Sequence, residues 1–213
     1  VIEKSNVALD GAGYTLQGTG SERGIDLPWG IVNITIRNLQ IKAFDYGIYY
    51  GIALGYDSNY FSVVGNYITA NDICGIQLYG SCNNSIVGNK ITANNGLGIN
   101  FYHSDYNNIA GNNIMANNGH GVVLSHRSDY NSIFGNNITN NRKGVVLDDS
   151  LYNKFHHNNF IDNSQQTSFT PLGIFEFWDD GYPSGGNYWS DYTDVDLFHG
   201  PYQNEAGSDG IWD

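Results

Sequence analysis

Two histidines, an arginine and a pair of aspartates recur at matching intervals along this chain, and together they could do acid–base chemistry. His103 and His126 lie 23 residues apart, Arg127 follows the second, and Asp149 stands 23 residues beyond His126 with Asp148 beside it. A chain that returned to the same place at that interval would gather two imidazoles, a guanidinium and two carboxylates on one face. Such a set suits a sugar lyase, epimerase or hydrolase. A basic group would take the ring proton beside a uronic carboxylate while a cation steadied the charge that develops. A solvated corner with ordinary surface ion pairs has the same composition. Both readings stay open.

A second set is aromatic. Tyr60, Tyr106, Tyr130 and Tyr152 each stand two residues after a recurring serine (Ser58, Ser104, Ser128 and Ser150), and Asn83 interrupts the file after Ser81. Rings placed one above the next stabilise each other by stacking. Left exposed, they form a surface for carbohydrate or for assembly with a neighbouring molecule. A third set is acidic. Asp191, Asp194, Asp196, Asp209 and Asp213 cluster near the end of the sequence, with Glu205 among them. The short alternation Asp194-Val-Asp196 and the turn Ser208-Asp-Gly-Ile-Trp-Asp213 have the oxygen-rich spacing of calcium loops, so structural calcium is the cofactor expected there.

The elements that would position these sets come from a repeat of about 23 residues. Gly, an aliphatic residue, any residue, then Leu or an aromatic begins at Gly51, Gly75, Gly98, Gly121 and Gly144, with Gly24 upstream. Gly-Asn-x-Ile runs from Gly65, Gly88, Gly111 and Gly135, with His157-Asn-Asn-Phe160 as a degenerate copy. The serines lead five residues later to Val63, Ile86, Ile109, Ile133 and Phe155. Each repeat therefore holds three short apolar alternations, which are strand signals, separated by Asn/Gly/Ser corners. Stacked coils put such strands ~4.8 Å apart in parallel sheets. The fold expected is all-β: a right-handed parallel β-helix, or solenoid, of about six or seven coils. Asn66, Asn89, Asn112, Asn136 and Asn158 form one polar row. Asn71, Asn94, Asn117, Asn141 and Asn163 form a second, and Asn84, Asn107, Asn131 and Asn153 a third. Three such rows at three corners read as structural amide ladders, since Asn tolerates left-handed corners. Residues 1–164 are read as coils, with 1–42 longer and looser. Residues 165–213 lose the period, gain Trp and Pro, and read as an irregular aromatic cap continuous with the helix.

Composition limits the partners. The 213 residues carry a net charge of −12, which disfavours nucleic acid and anionic membranes. Divalent cations, polysaccharide and other surface proteins fit better. No apolar run reaches the roughly 18 residues of a membrane helix, and the start at Val1 reads as a trimmed or mature piece of something longer. Cys74 and Cys82 flank the strand-like Gly75–Gly80, which holds them too far apart for a disulfide and leaves free or intermolecular thiols.

The segment Val7-Ala-Leu-Asp-Gly-Ala-Gly-Tyr-Thr-Leu-Gln17, the Gly-Asn-x-Ile coils and the tail Gly181-Tyr-Pro-Ser-Gly-Gly-Asn-Tyr-Trp-Ser-Asp-Tyr192 carry a family resemblance. The chain resembles NosD-like, or parallel β-helix repeat, proteins of the pectin-lyase-like superfamily, with a tail similar to archaeal cell-surface members. The resemblance implies an extracellular or cell-envelope, carbohydrate-associated protein, without a particular reaction. Gly119-His-Gly121 with Arg142-Lys143 and Asp148-Asp149 also resembles pieces of the polygalacturonase constellation, in the wrong chain order. The copper in the family's name finds one Met, two separated Cys and only His156-His157 as adjacent imidazoles. The leading expectation is a non-catalytic structural or glycan-binding module that assembles with cell-surface proteins or copies of itself. The rival is a polysaccharide-active enzyme working through His103, His126, Asp148 and Asp149.

Overall fold

The structure, a computed structural model, describes residues 1–28, 30–51, 60–170, 175–193, 195, 197–200 and 204–207. Among the described residues the coils build three parallel sheets. Sheet A holds seven strands from Val7–Asp10 to Lys154–His156, and sheet B eight from Thr15–Gln17 to Tyr188–Trp189. Sheet C holds seven from Arg23–Leu27 to Thr167–Phe169. The chain visits A, B and C in turn, so neighbours within a sheet come from successive coils. This is the right-handed parallel β-helix expected, in keeping with the hand that twisted strands impose on parallel crossovers.

The apolar alternations become ladders inside the coil. In sheet A, Val63, Ile86, Ile109, Ile133 and Phe155 are in register. In sheet B, Ile68, Ile91, Ile114, Ile138 and Phe160 follow suit, and sheet C contributes Ile76, Ile99, Val122 and Val145. All these side chains are buried. Each stabilises the fold by about 1.5–3 kcal/mol relative to exposure. In sheet C the repeat glycine permits close stacking, since a Cβ on Gly98 would fall 2.5 Å from the carbonyl oxygen of Gly121.

One register differs from expectation. The strand Tyr46–Gly51 pairs Ile48 with Ile76 and Tyr50 with Leu78. Gly47, not Gly51, is therefore the repeat glycine of that coil, and a Cβ on it would meet the Gly75 carbonyl at 2.8 Å. Gly-Ile occurs twice, four residues apart, and the earlier copy puts Ile48 in the core at 2% exposure. The extra residues of this long coil fall between its sheet-C strand and Phe61, and Ile52–Leu54 lie outside the described residues.

The amide rows are ladders in the strict sense. Asn89 donates its backbone N–H and side-chain amide to Asn112 Oδ1 at 2.9 and 3.0 Å, and Asn112 does the same to Asn136 at 2.9 Å for both. The other two rows repeat this bond. Serine forms a further row: the Ser81, Ser104 and Ser128 backbones each donate to the next hydroxyl at 3.1 Å. The amides of these three rows are thus satisfied coil by coil, as burial requires. The coils close through left-handed residues at the corners, such as Gly88 at φ +63°.

The tail caps the last coil. Trp178 stacks on Phe155 at 4.5 Å and Trp189 on Phe160 at 4.4 Å, and the two indoles meet at 5.6 Å. Asn187 Oδ1 takes the backbone and amide protons of Asn158, which extends the first amide row into the cap. Gln166 Oε1 ends the second row at Asn163, and the Glu176 carboxylate ends the third at Asn153. Cys74 and Cys82 form no disulfide with each other, and both are buried. Enclosure pushes the Cys74 thiol up to about 12. A thiol enclosed as Cys74 is presents little nucleophile to a neighbouring molecule.

Candidate functional site

The corner between sheets C and A collects most of the side chains singled out by sequence. It is made by residues such as 102–107, which leave the strand Leu97–Tyr102 and enter Asn108–Ala110. Within one turn, Ser104 and Asn107 point inward to their ladders and are buried. That commitment forces the intervening residues outward. His103 and Tyr106 take left-handed φ of +50° and +56°, and His126, Tyr130, Asp149 and Tyr152 repeat the pattern in the following coils.

Two aromatic files bracket this corner. Tyr106, Tyr130 and Tyr152 stack at 5.2 and 5.1 Å with interplanar angles of 5° and 13°, and Phe175 from the tail continues the file at 6.1 Å. Exposure falls along the row, from 65% at Tyr60 and 58% at Tyr106 to 49% at Tyr130 and 40% at Tyr152. Ring faces are covered progressively as the file becomes continuous. The second file, not foreseen from sequence, runs Tyr79, Tyr102, His126 at 4.6 and 4.2 Å. Tyr79 and Tyr102 are in register at the end of sheet C, where later coils place Ser125 and Asp148. The signal was available, since both tyrosines follow the Gly-Ile-x-Leu/Phe signature directly.

The groups proposed for acid–base work share this corner, His126 as a ring of the second file. His103 and His126 are neighbours, with ring centroids 5.8 Å apart. The His126 backbone donates to the Asp148 carbonyl at 2.9 Å and that of Arg127 to the Asp149 carbonyl at 2.6 Å. The repeat therefore brings all four residues to one corner. Their functional groups do not engage: no ion pair or side-chain hydrogen bond joins these imidazoles to Asp148 or Asp149 among the described residues. The carboxylates that are held lie two positions along, beyond the recurring serine. Asp105 Oδ1 accepts the Asp129 N–H at 2.9 Å, and Asp129 Oδ1 accepts the Leu151 N–H at 2.7 Å. Burial pushes the Asp105 carboxyl above its usual range.

A further polar cluster lies at the corner between sheets A and B. Lys154 pairs with Asp180, and the His156 and His157 Nδ1 atoms are 3.4 Å apart. His157 Nε2 lies 2.7 Å from the Ser184 carbonyl, so it carries the proton there. Burial lowers the His156 imidazole's proton affinity. These bonds fasten the tail segment to the last coil. Of the calcium residues, Asp191 is an exposed turn residue, whereas Asp194, Asp196, Asp209 and Asp213 lie outside the described residues.

Residues 13–194 match the family described as "Periplasmic copper-binding protein (NosD)". No curated protein sequence matches the chain. Among solved structures, a double mutant of the periplasmic alginate epimerase AlgG superposes with a TM-score of 0.63 at 21% identity, covering 71% of this chain and 36% of that one. The unmutated epimerase gives 0.55 at 18% identity, covering 78% and 42%. The chain thus spans well under half of those structures, and at such identity the likeness is one of fold.

Copper, named in the family description, does not fit the donors present. Among the described residues no three His, Cys, Asp or Glu side chains converge as a metal-binding group. Cys74 is sealed and protonated, the sole Met lies in sheet B, and the His156–His157 pair is committed to Ser184 and to stacking on Phe134. A copper site draws on thiolate, thioether and imidazole gathered at one point.

Proposed function

The chain belongs to the NosD family of periplasmic proteins, and on that footing we propose that it is a non-catalytic β-helical module of the cell envelope that binds glycan. The binding surface is the corner between sheets C and A. The observation that carries this reading is the pair of aromatic files with hydrogen-bonding groups beside them: Tyr106, Tyr130 and Tyr152 in one, Tyr79 and Tyr102 in the other. Aromatic rings pack against the apolar faces of sugar rings, while carboxylates and imidazoles meet the hydroxyls. Among the described residues the imidazoles make no side-chain hydrogen bond or ion pair with Asp148 or Asp149, so these groups stand beside the files as separate polar contacts for a ligand. The same fold serves an alginate epimerase, and on that precedent polysaccharide is the ligand class to test.

The deciding experiment is a glycan array probed with the whole chain, followed by titration of the best polysaccharide against wild type and Tyr130→Ala. Saturable binding that weakens at least tenfold in Tyr130→Ala supports the reading. An array without binding, or turnover of a uronic-acid polymer to unsaturated products, overturns it.

A further inference from the structure

The tyrosine file has a gap one ring wide. Tyr60, Asn83, Tyr106, Tyr130 and Tyr152 occupy one position in five successive coils, and all five share a left-handed backbone with φ between +56° and +70°. The register is held by the Phe61 backbone donating to Asn84 Oδ1 and the Asn84 backbone to Asn107 Oδ1, both at 2.9 Å. From Tyr106 onward the rings cover one another. Between Tyr60 and Tyr106 the file carries the short, exposed Asn83 in place of a ring.

Coils stand ~4.8 Å apart, so the two tyrosines flanking Asn83 are separated by about 10 Å along the axis. A ring lying midway would be about 5 Å from each, the range in which ring pairs attract. Tyr106 and Tyr130 already meet at 5.2 Å. The floor of the gap is polar, since Asn83 is exposed there and the half-buried Asp105 precedes Tyr106 in the chain.

We propose that this slot is a subsite for one pyranose ring of a neutral glycan, clamped between Tyr60 and Tyr106 over Asn83. The inference rests on the glycan-binding reading and goes beyond it by naming the place and the kind of sugar. A pyranose offers two C–H faces and a hydroxyl rim, which match two aromatic walls and an amide floor. A net charge of −12 disfavours anionic sugars. An aromatic side chain from another protein would fit the walls but would leave the polar floor unpaired.

Asn83→Tyr separates this role from a structural one. The backbone there already has the conformation that tyrosine adopts in four neighbouring coils, so the new ring completes the stack and fills the slot. The measurement pairs thermal melting with calorimetric titration of neutral polysaccharide into wild type, Asn83→Tyr and Tyr60→Ala. The expected result is a melting temperature raised or unchanged in Asn83→Tyr, with affinity reduced at least tenfold in both variants. Wild-type affinity in a folded Asn83→Tyr overturns the slot while leaving the wider glycan reading intact. An absence of binding by wild type overturns both. Binding of a protein rather than a sugar, abolished by Asn83→Tyr, overturns the choice of pyranose in favour of an aromatic side chain.

Discussion

Glu176 closes the amide row that Asn153 leaves open: its carboxylate takes the Asn153 backbone N–H at 2.5 Å and the side-chain amide at 3.3 Å. Its carboxyl is pushed up to about 7, chiefly by burial and against the pull of the two Asn153 hydrogen bonds. The neighbouring rows end instead on amides, Asn187 and Gln166.

A carboxyl whose folded pKa exceeds its unfolded value of 4.5 favours folding while protonated. Its contribution is fully present below about pH 4.5 and is lost as pH rises through about 7. Glu176→Gln imitates the protonated form at all pH values. Its melting temperature is expected to exceed wild type by about 2–4 °C at pH 8 and to match it at pH 4.5. Melting curves across that range check this, and a constant difference at every pH refutes it.

Asn112 is bonded to the coils on both sides and also donates to the Ile86 carbonyl at 2.8 Å. Asn112→Ala leaves several buried polar groups unpaired and is expected to cost about 3 kcal/mol or more. The exposed Asn118→Ala should stay within about 0.5 kcal/mol. Urea unfolding of the two variants measures the contrast.

Trp189 covers Phe160 at the closed end of sheet B. Trp189→Ala uncovers that end, costs about 2–3 kcal/mol, and exposes strand edges that pair readily. Concentration-dependent larger species in light scattering are expected from this variant, together with a lower melting temperature.

Cys74 is wholly buried, with its thiol at about 12. An aromatic disulfide reagent at pH 8 should leave it unmodified in the native protein and react fully after denaturation. Mass spectrometry of tryptic peptides reads the outcome.

His126→Ala tests the rival enzymatic reading. It removes a ring stacked on Tyr102 at 4.2 Å, a loss of about 0.5–1.5 kcal/mol. With uronic-acid polymers both wild type and variant are expected to give no unsaturated product by ultraviolet absorbance, and wild-type turnover lost in the variant would establish catalysis.

The coil was legible because inward side chains must repeat wherever coils stack. The isoleucine ladders, the three amide rows and the tyrosine file all follow from that single constraint. The Gly47 register was not legible, since Gly47-Ile and Gly51-Ile are locally equivalent and only packing against Ile76 distinguishes them. Nor were Glu176, Asn187 and Gln166 legible as row ends, because the cap has no period to align them. At the candidate site, sequence brought His103, His126, Asp148 and Asp149 to one corner correctly. It did not reveal that ring stacking on Tyr102, rather than a carboxylate, sets the direction of His126.

Each amide row runs one way. In every bond between coils the earlier asparagine donates and the later one accepts. The side-chain dipoles therefore add along the axis, as peptide dipoles do in a helix. The early end of the rod presents oxygen and the late end presents N–H groups, which is why all three rows finish on an acceptor and one of them finishes on a carboxylate. A solenoid built like this has a head and a tail in the electrical sense, and any unit joined to its late end must arrive oxygen first.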